Sequence, residues 1–314
     1  MGGKRLRKGE RWGDGEVKVK RDWREVNDKY VRRGEFYLDI EFVESWDEDT
    51  KKMNQGKRGR PFRYPEAFIA WMSLVRVFCQ MPYRQMQGFA QQLSCFLPLK
   101  AADYSTLFKR IASSDLPFDA CLLDREDVVV ALDSTGFCIS NRGEWINRWG
   151  DRERRSWLKV HLAVDVDSKE VLGLEITRET VRDYACFESL VLQSLDHGTV
   201  RKVLADSGYD DRKAFNVLDG LGIEPGIKTR GNASTNPTRG KITSPLRAKV
   251  ARYRKRYGYK TWSKKTGYGK RWNVEGVIST LKRVFGETLS ARSWQGMIRE
   301  VQVKMAMYNL LVNV

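Results

Sequence analysis

Histidine and cysteine are scarce in this chain of 314 residues. The two histidines, His161 and His197, lie far apart, and the five cysteines are scattered without a CxxC pair. A zinc finger needs clustered Cys and His ligands, and a disulfide framework needs paired cysteines, so we expect neither. The cysteine pattern is typical of a protein from a reducing cytoplasm.

Long apolar runs are also missing. The best one, "FIAWMSLVRVFC", is too short to span a bilayer and contains Arg76. The first residues, "MGGKRLRKGERWGDGE", lack the apolar segment of a signal peptide, and Leu6 stands where a myristoylation signal has Ser or Thr. We therefore expect no membrane partner.

Acidic residues are absent from one long stretch of a strongly basic chain. The formal charge is +17, from 57 Lys and Arg against 40 Asp and Glu. Residues 225–274 hold fifteen Lys or Arg and no Asp or Glu, and Glu275 follows immediately. Positive charge concentrated in this way favours a polyanionic partner, and we expect nucleic acid.

The N-terminal part divides into two predicted regions. Residues 1–60 are rich in charge and poor in apolar anchors, which predicts a flexible arm and basic linker. Residues 61–120 contain three helical patterns, with Pro82 and Asp103 as start signals for the second and third. Three short helices suit a helix-turn-helix-like DNA-binding domain. The alternative is a helical cap that contacts no DNA.

A short basic motif lies in the linker. Arg58-Gly59-Arg60-Pro61 resembles the core of an AT-hook, in which extended arginines enter a narrow minor groove. Arg58 and Arg60 are therefore candidate DNA-binding residues. The alternative is a basic linker that touches phosphates or is simply solvated.

The pattern changes to alternating strands and helices after residue 125. Strands are predicted at 127–133, 157–166, 171–177, 200–206 and 223–229, and helices at 183–195 and 211–222. The order βββαβαβ, followed by a late helix, is typical of a ribonuclease H-like α/β fold, a mixed sheet with helices on both faces. We expect this catalytic domain to span 125–314, with a basic insertion at about 229–266.

Two aspartates follow buried strands. Asp133 comes after the apolar run of "DVVVALD", and Asp206 comes after "VRKVLAD". Parallel neighbours would bring the two carboxylates together at the strand ends, where they could share a cation. An Asp before a turn is also common loop chemistry.

Several other polar residues compete for the acidic role. Asp165 and Asp167 fall in a predicted hairpin turn, and Asp210 or Asp211 can cap a helix, so we expect structural roles for them. Asp183 is the nearest rival, although a helix N-cap would explain it. His161 lies in an alternating strand and is expected to be a packed core residue.

A third carboxylate stands in a polar stripe. On an ideal helix, Tyr268, Arg271, Glu275 and Lys282 fall within an arc of about 60°. The adjoining sector is apolar, so the helix can bury one face and present the stripe to a cleft. An Arg–Glu pair at i,i+4 on a solvated face would explain only two of the four residues.

These motifs together resemble a known family. The spacing Y-x2-R-x3-E-x6-K, from Tyr268 to Lys282, is similar to the signature of DDE transposases of prokaryotic insertion sequences, and we suspect the insertion-sequence-five-like group. "ALDSTG" and "LADSGYD" resemble the first and second aspartate motifs of that family. The resemblance covers roughly residues 60–312.

The resemblance implies a transposase that cuts the ends of its element and joins them to target DNA. Asp133, Asp206 and Glu275 would be catalytic and would hold two Mg²⁺ ions, with Mn²⁺ as a substitute. Tyr268, Arg271 and Lys282 would contact the DNA backbone.

The implied partner is double-stranded DNA, as terminal inverted repeats and target, bound by a homodimer at a prokaryotic nucleoid. Aromatic residues of the insertion could stack on unpaired bases, or the segment could be a solvated loop. Two alternatives to a transposase remain: a ribonuclease H-like nuclease that cuts without joining, and an inactive transposase-derived DNA-binding protein.

Overall fold

The computed structural model describes residues 22–114, 118–119, 121–122, 124–139, 157–238 and 241–313. These residues fall into two units, residues 22–39 and residues 40–313. The described part of the first unit is a helix, α1 (Trp23–Phe36), which is capped by the Asp22 carboxylate through the Arg24 amide at 2.8 Å. The predicted arm over residues 1–21 lies outside the described residues.

The second unit begins with a helical part. Its four helices are α2 (Trp46–Asn54), α3 (Glu66–Phe78), α4 (Tyr83–Leu93) and α5 (Tyr104–Ser113). Pro82 and Asp103 precede α4 and α5, and the Asp103 carboxylate accepts from the Ser105 and Thr106 amides, each at 2.9 Å.

The helical part starts earlier than its sequence suggests. Phe42 and Trp46 are buried in the same core as Phe68 and Met72 of α3. Residues 40–54, predicted as part of a charged arm, instead pack into the helical core. Phe42 and Trp46 are large aromatic residues, which bury much area each without a repeating pattern, and Ile40 and Val43 pack against the same core.

A six-stranded mixed sheet follows. Its strands are β1 (Arg125–Ile139), β2 (Trp157–Asp165), β3 (Val171–Arg178), β4 (Gly198–Ala205), β5 (Glu224–Ile227) and β6 (Thr288–Leu289). The order is β3-β2-β1-β4-β5, with β6 paired to the end of β1. β1 is antiparallel to β2 and parallel to β4, and β2 is antiparallel to β3.

Helices cover both faces of this sheet. They are α6 (Phe187–Leu195), α7 (Arg212–Gly220), α8 (Pro245–Thr266), α9 (Trp272–Phe285) and α10 (Trp294–Asn313). One core joins Val130 and Leu132 of β1 to Leu190 of α6 and Phe215 of α7. α9 packs against β1 and β2, and α10 packs against α9 and β3. The fold is ribonuclease H-like, as the sequence predicts.

The central strand is longer than predicted. We expected a strand that ends at Asp133, but β1 continues to Ile139. The extension stays paired with β2 as far as Cys138 opposite Trp157. "DSTG" therefore does not form a turn here, because the antiparallel neighbour supplies backbone partners to residues whose types favour turns.

None of the helices in the described ranges combines the length and apolar character that are needed to cross a bilayer.

Gly198 gives a test of the β1–β4 register. Its φ is +130°, and an added β-carbon would lie 1.8 Å from the carbonyl oxygen of Arg125 on β1. We expect Gly198→Ala to lower the free energy of unfolding by roughly 3 kcal/mol or more, because the residue must move against backbone. The measurement is urea denaturation followed by circular dichroism.

Gly88, which is exposed within α4, is the matched control. An added β-carbon there has no neighbour within 4 Å, so Gly88→Ala should stabilise the protein by about 0.5–1 kcal/mol. Equal effects of the two substitutions would contradict the described register.

Candidate active site

Asp133 and Asp206 meet where the parallel pairing of β1 and β4 ends. The last paired residues are Leu132 and Ala205, and each aspartate is the next residue in the chain. Alternation along the strands puts both on the face opposite the core that contains Leu132 and Ala205. The Gly208 amide donates to Asp206 Oδ1 at 2.7 Å and so fixes this carboxylate.

Arg271 links the third carboxylate to the first. Its Nη1 donates to Asp133 Oδ2 at 3.2 Å, and its Nη2 donates to Glu275 Oε1. The Arg271 side chain is only 11% exposed. One guanidinium thus bridges β1 and the first turn of α9.

The segment that carries Arg271 is held from two sides. At the β2–β3 turn, Lys270 pairs with Asp167 at 3.1 Å, and Asn273 Nδ2 donates to the Val166 carbonyl at 3.0 Å. Tyr268 is buried against Trp262 of α8, with ring centroids 5.0 Å apart. Burial raises the pKa of Tyr268 to about 12, so the phenol is neutral.

The predicted polar stripe does not lie on one helix. Tyr268 and Arg271 belong to a 3-10 turn, Tyr268–Arg271, and α9 starts only at Trp272. The turn rotates Tyr268 into the core, where it is 5% exposed. Lys282 lies two turns beyond Glu275, and its ammonium is 3.9 Å from the Glu287 carboxylate.

Negative charge accumulates at Asp133. Burial raises the pKa of its carboxyl, and the nearby Asp206 and Glu275 charges act in the same direction. The Ser134 amide, which donates to Asp133 Oδ1 at 2.9 Å, and the Arg271 guanidinium oppose that rise without cancelling it. The net environment therefore disfavours the ionised form of Asp133.

A second polar cluster lies against the first, on the other face of β1. Asp183 Oδ1 accepts from Lys159 Nζ at 2.7 Å and from Ser134 Oγ at 2.8 Å. The sequence left Asp183 as a rival for the acidic role or as a helix N-cap, and the helices that begin at Asp183 and Phe187 show no side-chain cap. Its contacts come from β1 and β2, which are remote in sequence, so spacing alone gave no signal for them.

His161 completes this second cluster. It is fully buried, and its Nε2 lies 2.9 Å from Thr177 Oγ1, so the prediction of a packed core residue is confirmed. Burial and the Lys159 charge lower the pKa of His161 to about 4, so the ring is neutral at pH 7. Its 3.5 Å approach to Asp183 is therefore not an ion pair.

The contacts of Asp165, Asp210 and Asp211 confirm the structural roles expected for these aspartates. Asp165 Oδ1 accepts from the Asp167 amide at 3.0 Å within the β2–β3 turn. Asp211 caps α7 through the Lys213 amide at 2.8 Å, and Asp210 forms a two-point pair with Arg247.

The predicted basic insertion is largely helical. Pro245–Thr266 forms α8, interrupted at Gly258, whose φ is +79°. Tyr257 and Tyr259 remain 48% and 44% exposed. Few apolar residues repeat at helical spacing here, so periodicity could not reveal the helix.

The Arg58–Arg60 motif forms a closed loop rather than an extended strand. Asn54 Nδ2 donates to the Phe62 carbonyl at 2.9 Å, and the Phe62 amide donates to Asn54 Oδ1 at 2.7 Å. Both arginines are exposed at its tip. The backbone bends at Gly59, whose φ is +92°, and at Arg60, so this loop differs from the extended conformation expected for an AT-hook.

The donor chemistry of the first cluster suits a hard divalent cation. All three side chains offer carboxylate oxygens, and the unbalanced negative charge at Asp133 would be relieved by a cation. Within the described ranges, no three His, Cys, Asp or Glu side chains are close enough to share a metal. Arg271 donates to both Asp133 and Glu275 and so lies between these two carboxylates.

Two family models match the chain. The first, described as a transposase DDE domain, matches residues 124–310, and a second with the same description matches residues 31–142. The first model alone spans more than half of the chain.

Solved structures give looser matches. The piggyBac transposase synaptic complex with hairpin DNA has 12% identity and a TM-score of 0.40, over 90% of this chain and 74% of the other. The Drosophila P element transposase strand transfer complex has 10% identity and a TM-score of 0.32, over 85% and 69%. The Mos1 transposase catalytic domain with Raltegravir and Mg has 13% identity and a TM-score of 0.23, over 66% and 87%.

Asp133→Asn tests the charge balance of the site. An acid whose pKa is raised in the folded state destabilises the fold once pH exceeds its unfolded value of about 4, and fully above its folded value. In metal-free buffer at pH 7 we therefore expect the amide to raise the melting temperature by about 1–3 °C. The gain should vanish towards pH 3.

Asp219→Asn, at an exposed position of α7, is the control, and calorimetry across this pH range is the measurement. A lower melting temperature for Asp133→Asn at every pH would mean that the Arg271 pair outweighs burial and repulsion.

Proposed function

The chain belongs to the DDE transposase family, and we propose that Asp133, Asp206 and Glu275 are its catalytic carboxylates. Family membership makes the protein a DNA endonuclease and strand transferase that acts in DNA transposition by a DDE-type mechanism. The observation that carries the assignment of these residues is the convergence of Asp133 and Glu275 on Arg271, beside the strand end that bears Asp206.

Proteins of this family use divalent metal ions, and we propose Mg²⁺, as two ions, with Mn²⁺ as a substitute. Asp133, Asp206 and Glu275 would hold them, since their oxygen donors suit Mg²⁺. When bound, such ions activate an attacking water or 3′-hydroxyl and stabilise the leaving oxygen of the phosphodiester. The carboxylates are carried by β1, by the residue that follows β4 and by α9, so three separate elements place them.

Arg271 and Lys282 are the proposed phosphate contacts beside the carboxylates. Arg271 donates one hydrogen bond to each of two carboxylates, and a guanidinium with these two donors can also bind a phosphate. Only the family resemblance implies that Tyr268 contacts DNA, and its side chain is buried against Trp262. We therefore assign Tyr268 to holding the turn that presents Arg271.

α8 is a second proposed DNA surface. Lys255 and Arg256 are exposed there beside Tyr257, and Arg256 lies 5.4 Å from the centre of the Tyr257 ring. Cations can follow a DNA backbone while exposed rings stack on unpaired bases. This combination supports DNA contact by the insertion.

The helical part and the Arg58–Arg60 loop are proposed to extend this contact. We infer that the DNA carries the terminal inverted repeats of an insertion sequence of the insertion-sequence-five-like group, at a prokaryotic nucleoid. A homodimer would hold two such ends together. In the closed loop, the exposed side chains of Arg58 and Arg60 can contact DNA phosphates. Insertion of these arginines deep into the minor groove would need a free, extended segment.

Glu275→Gln tests the proposed function directly. The amide keeps the size of the side chain but removes the charge that a cation needs, so we expect cleavage and joining to fall by more than about a hundredfold. The measurement uses a labelled duplex that bears the element's own ends, with Mg²⁺ or with EDTA. Wild type should cut and join only with Mg²⁺.

Glu188→Gln is the matched control, because Glu188 is exposed on α6 and no contact of its side chain is described. Cutting without joined products would identify a nuclease. DNA binding without any cutting would favour a DNA-binding protein, and full activity of Glu275→Gln would exclude that residue from the site.

Salt dependence tests the α8 surface. If Lys255 and Arg256 each neutralise one phosphate, Lys255→Gln with Arg256→Gln should reduce the slope of log Kobs against log salt by about 2. Fluorescence anisotropy of labelled duplex from low to high salt gives the slope. Arg201→Gln, whose native side chain pairs with Asp127 at 2.7 Å, should leave it unchanged. An unchanged slope in the double variant would remove α8 from the interface.

A further inference from the structure

Among the described residues, the strand segment that carries Asp133 has a strand partner on one side. β4 pairs with β1 as far as Leu132, and β6 joins β1 at Cys138. Between them, residues 133–137 are paired with β2 and with no second strand of the described ranges. Backbone hydrogen bonds from two neighbours normally fix a central strand, so this segment needs another constraint to hold a carboxylate in place.

Asp183 supplies such a constraint through Ser134. Ser134 Oγ donates to Asp183 Oδ1 at 2.8 Å, while the Ser134 amide donates to Asp133 Oδ1 at 2.9 Å. A continuous set of contacts therefore runs from Asp183 to Ser134, Asp133, Arg271 and Glu275. It connects the two faces of the sheet.

Asp183 is itself firmly held. Lys159 Nζ lies 2.7 Å from Asp183 Oδ1 and donates to the Val181 carbonyl at 3.0 Å. Burial raises the pKa of Asp183, but hydrogen bonds from Lys159 and Ser134 outweigh it, so the net pKa is lowered. His161 is neutral, so the positive partner of Asp183 in this cluster is Lys159.

The approach of Asp183 to Asp206 requires a glycine. A β-carbon on Gly208 would lie 2.9 Å from Asp206 Oδ1 and 3.1 Å from Asp183 Oδ2. The same glycine donates its amide to Asp206. Asp183 is thus linked to Asp133 through Ser134, and its carboxylate and that of Asp206 both lie close to Gly208.

We propose that Asp183 is a positioning residue for the transposition reaction, which holds the Asp133–Ser134 segment of β1 in the geometry that the active site requires. The inference rests on the proposed function, since it assumes that Asp133 is catalytic. Asp183 acts through hydrogen-bond acceptance at Oδ1. The shape and acceptor of the side chain should therefore matter more than its charge.

Hydrogen exchange is the most direct test. Asp183→Ala removes the acceptor, so amides in residues 133–137 should exchange at least about tenfold faster, while residues 128–132, paired with β4, keep their protection. Asp183→Asn keeps an acceptor oxygen and should restore most of the protection. Asp211→Asn, which alters a cap on α7, is the control.

The same variants are then compared in single-turnover joining. Removing a hydrogen bond that orients an active-site carboxylate typically lowers activity about ten- to a hundredfold. We therefore expect Asp183→Ala to lower the joining rate by this factor, while its DNA affinity stays within about twofold of wild type. Asp183→Asn should recover most of the rate. If Asp183 had only a structural role, Asp183→Ala would lower the melting temperature without lowering the joining rate at unchanged DNA affinity.

The outcomes separate the two proposals. Unchanged exchange at residues 133–137 in Asp183→Ala would overturn the positioning role. So would an Asp183→Asn variant as slow as Asp183→Ala, because the charge itself would then be essential. If exchange responds as expected and wild type joins no DNA, the proposed function fails and takes the role in transposition with it, while the constraint that Asp183 places on residues 133–137 stands.

Discussion

The contact between Arg271 and two carboxylates is the constraint around which this site is organised. Asp133, Asp206 and Glu275 come from three separate elements, and like charges brought together in a half-buried place repel one another. Arg271 offsets part of that repulsion by donating to both Asp133 and Glu275. The compensation is incomplete, because the pKa of Asp133 remains raised. The fold therefore holds a negative site at some cost to its own stability, which is the usual condition of a functional site.

The cluster lies where the pairing between β1 and β4 ends, before β1 itself ends. β4 stops at Ala205, while β1 continues to Ile139 along β2. The gap leaves room beside Asp133 for Asp206, for Arg271 of the 3-10 turn and for Glu275 in the first turn of α9. The turn between β2 and β3 then fixes this entry, since Asp167 and the Val166 carbonyl hold Lys270 and Asn273. A shorter β1 would separate the carboxylates from the antiparallel half of the sheet.

Sequence patterns predicted the elements with strong apolar repeats and missed features set by distant contacts. The core strands and the buried face of α9 follow from side-chain periodicity, and Asp133 and Asp206 were placed correctly beside each other. The extension of β1 was missed because Asp-Ser-Thr-Gly favours turns unless a neighbour pairs with it. The break before Trp272 was missed because an ideal helix was assumed through Tyr268, whereas burial against Trp262 favours a 3-10 turn. Residues 40–54 and α8 lack apolar repeats, so their helices had no periodic signal.

Asp183 shows why spacing alone gives an incomplete account of such a site. Its sequence context, an acid before an amphipathic helix, suits a cap equally well, and only the fold brings Ser134 and Lys159 to it. Strand alternation explains the arrangement. Asp133 and Ser134 are adjacent in β1 and must point to opposite faces of the sheet. A group that fixes Asp133 through Ser134 must therefore lie on the face opposite to Asp133. A site built on adjacent strand residues is therefore held from both faces of the sheet, and contacts such as that of Asp183 with Ser134 lie on the face opposite to Asp133.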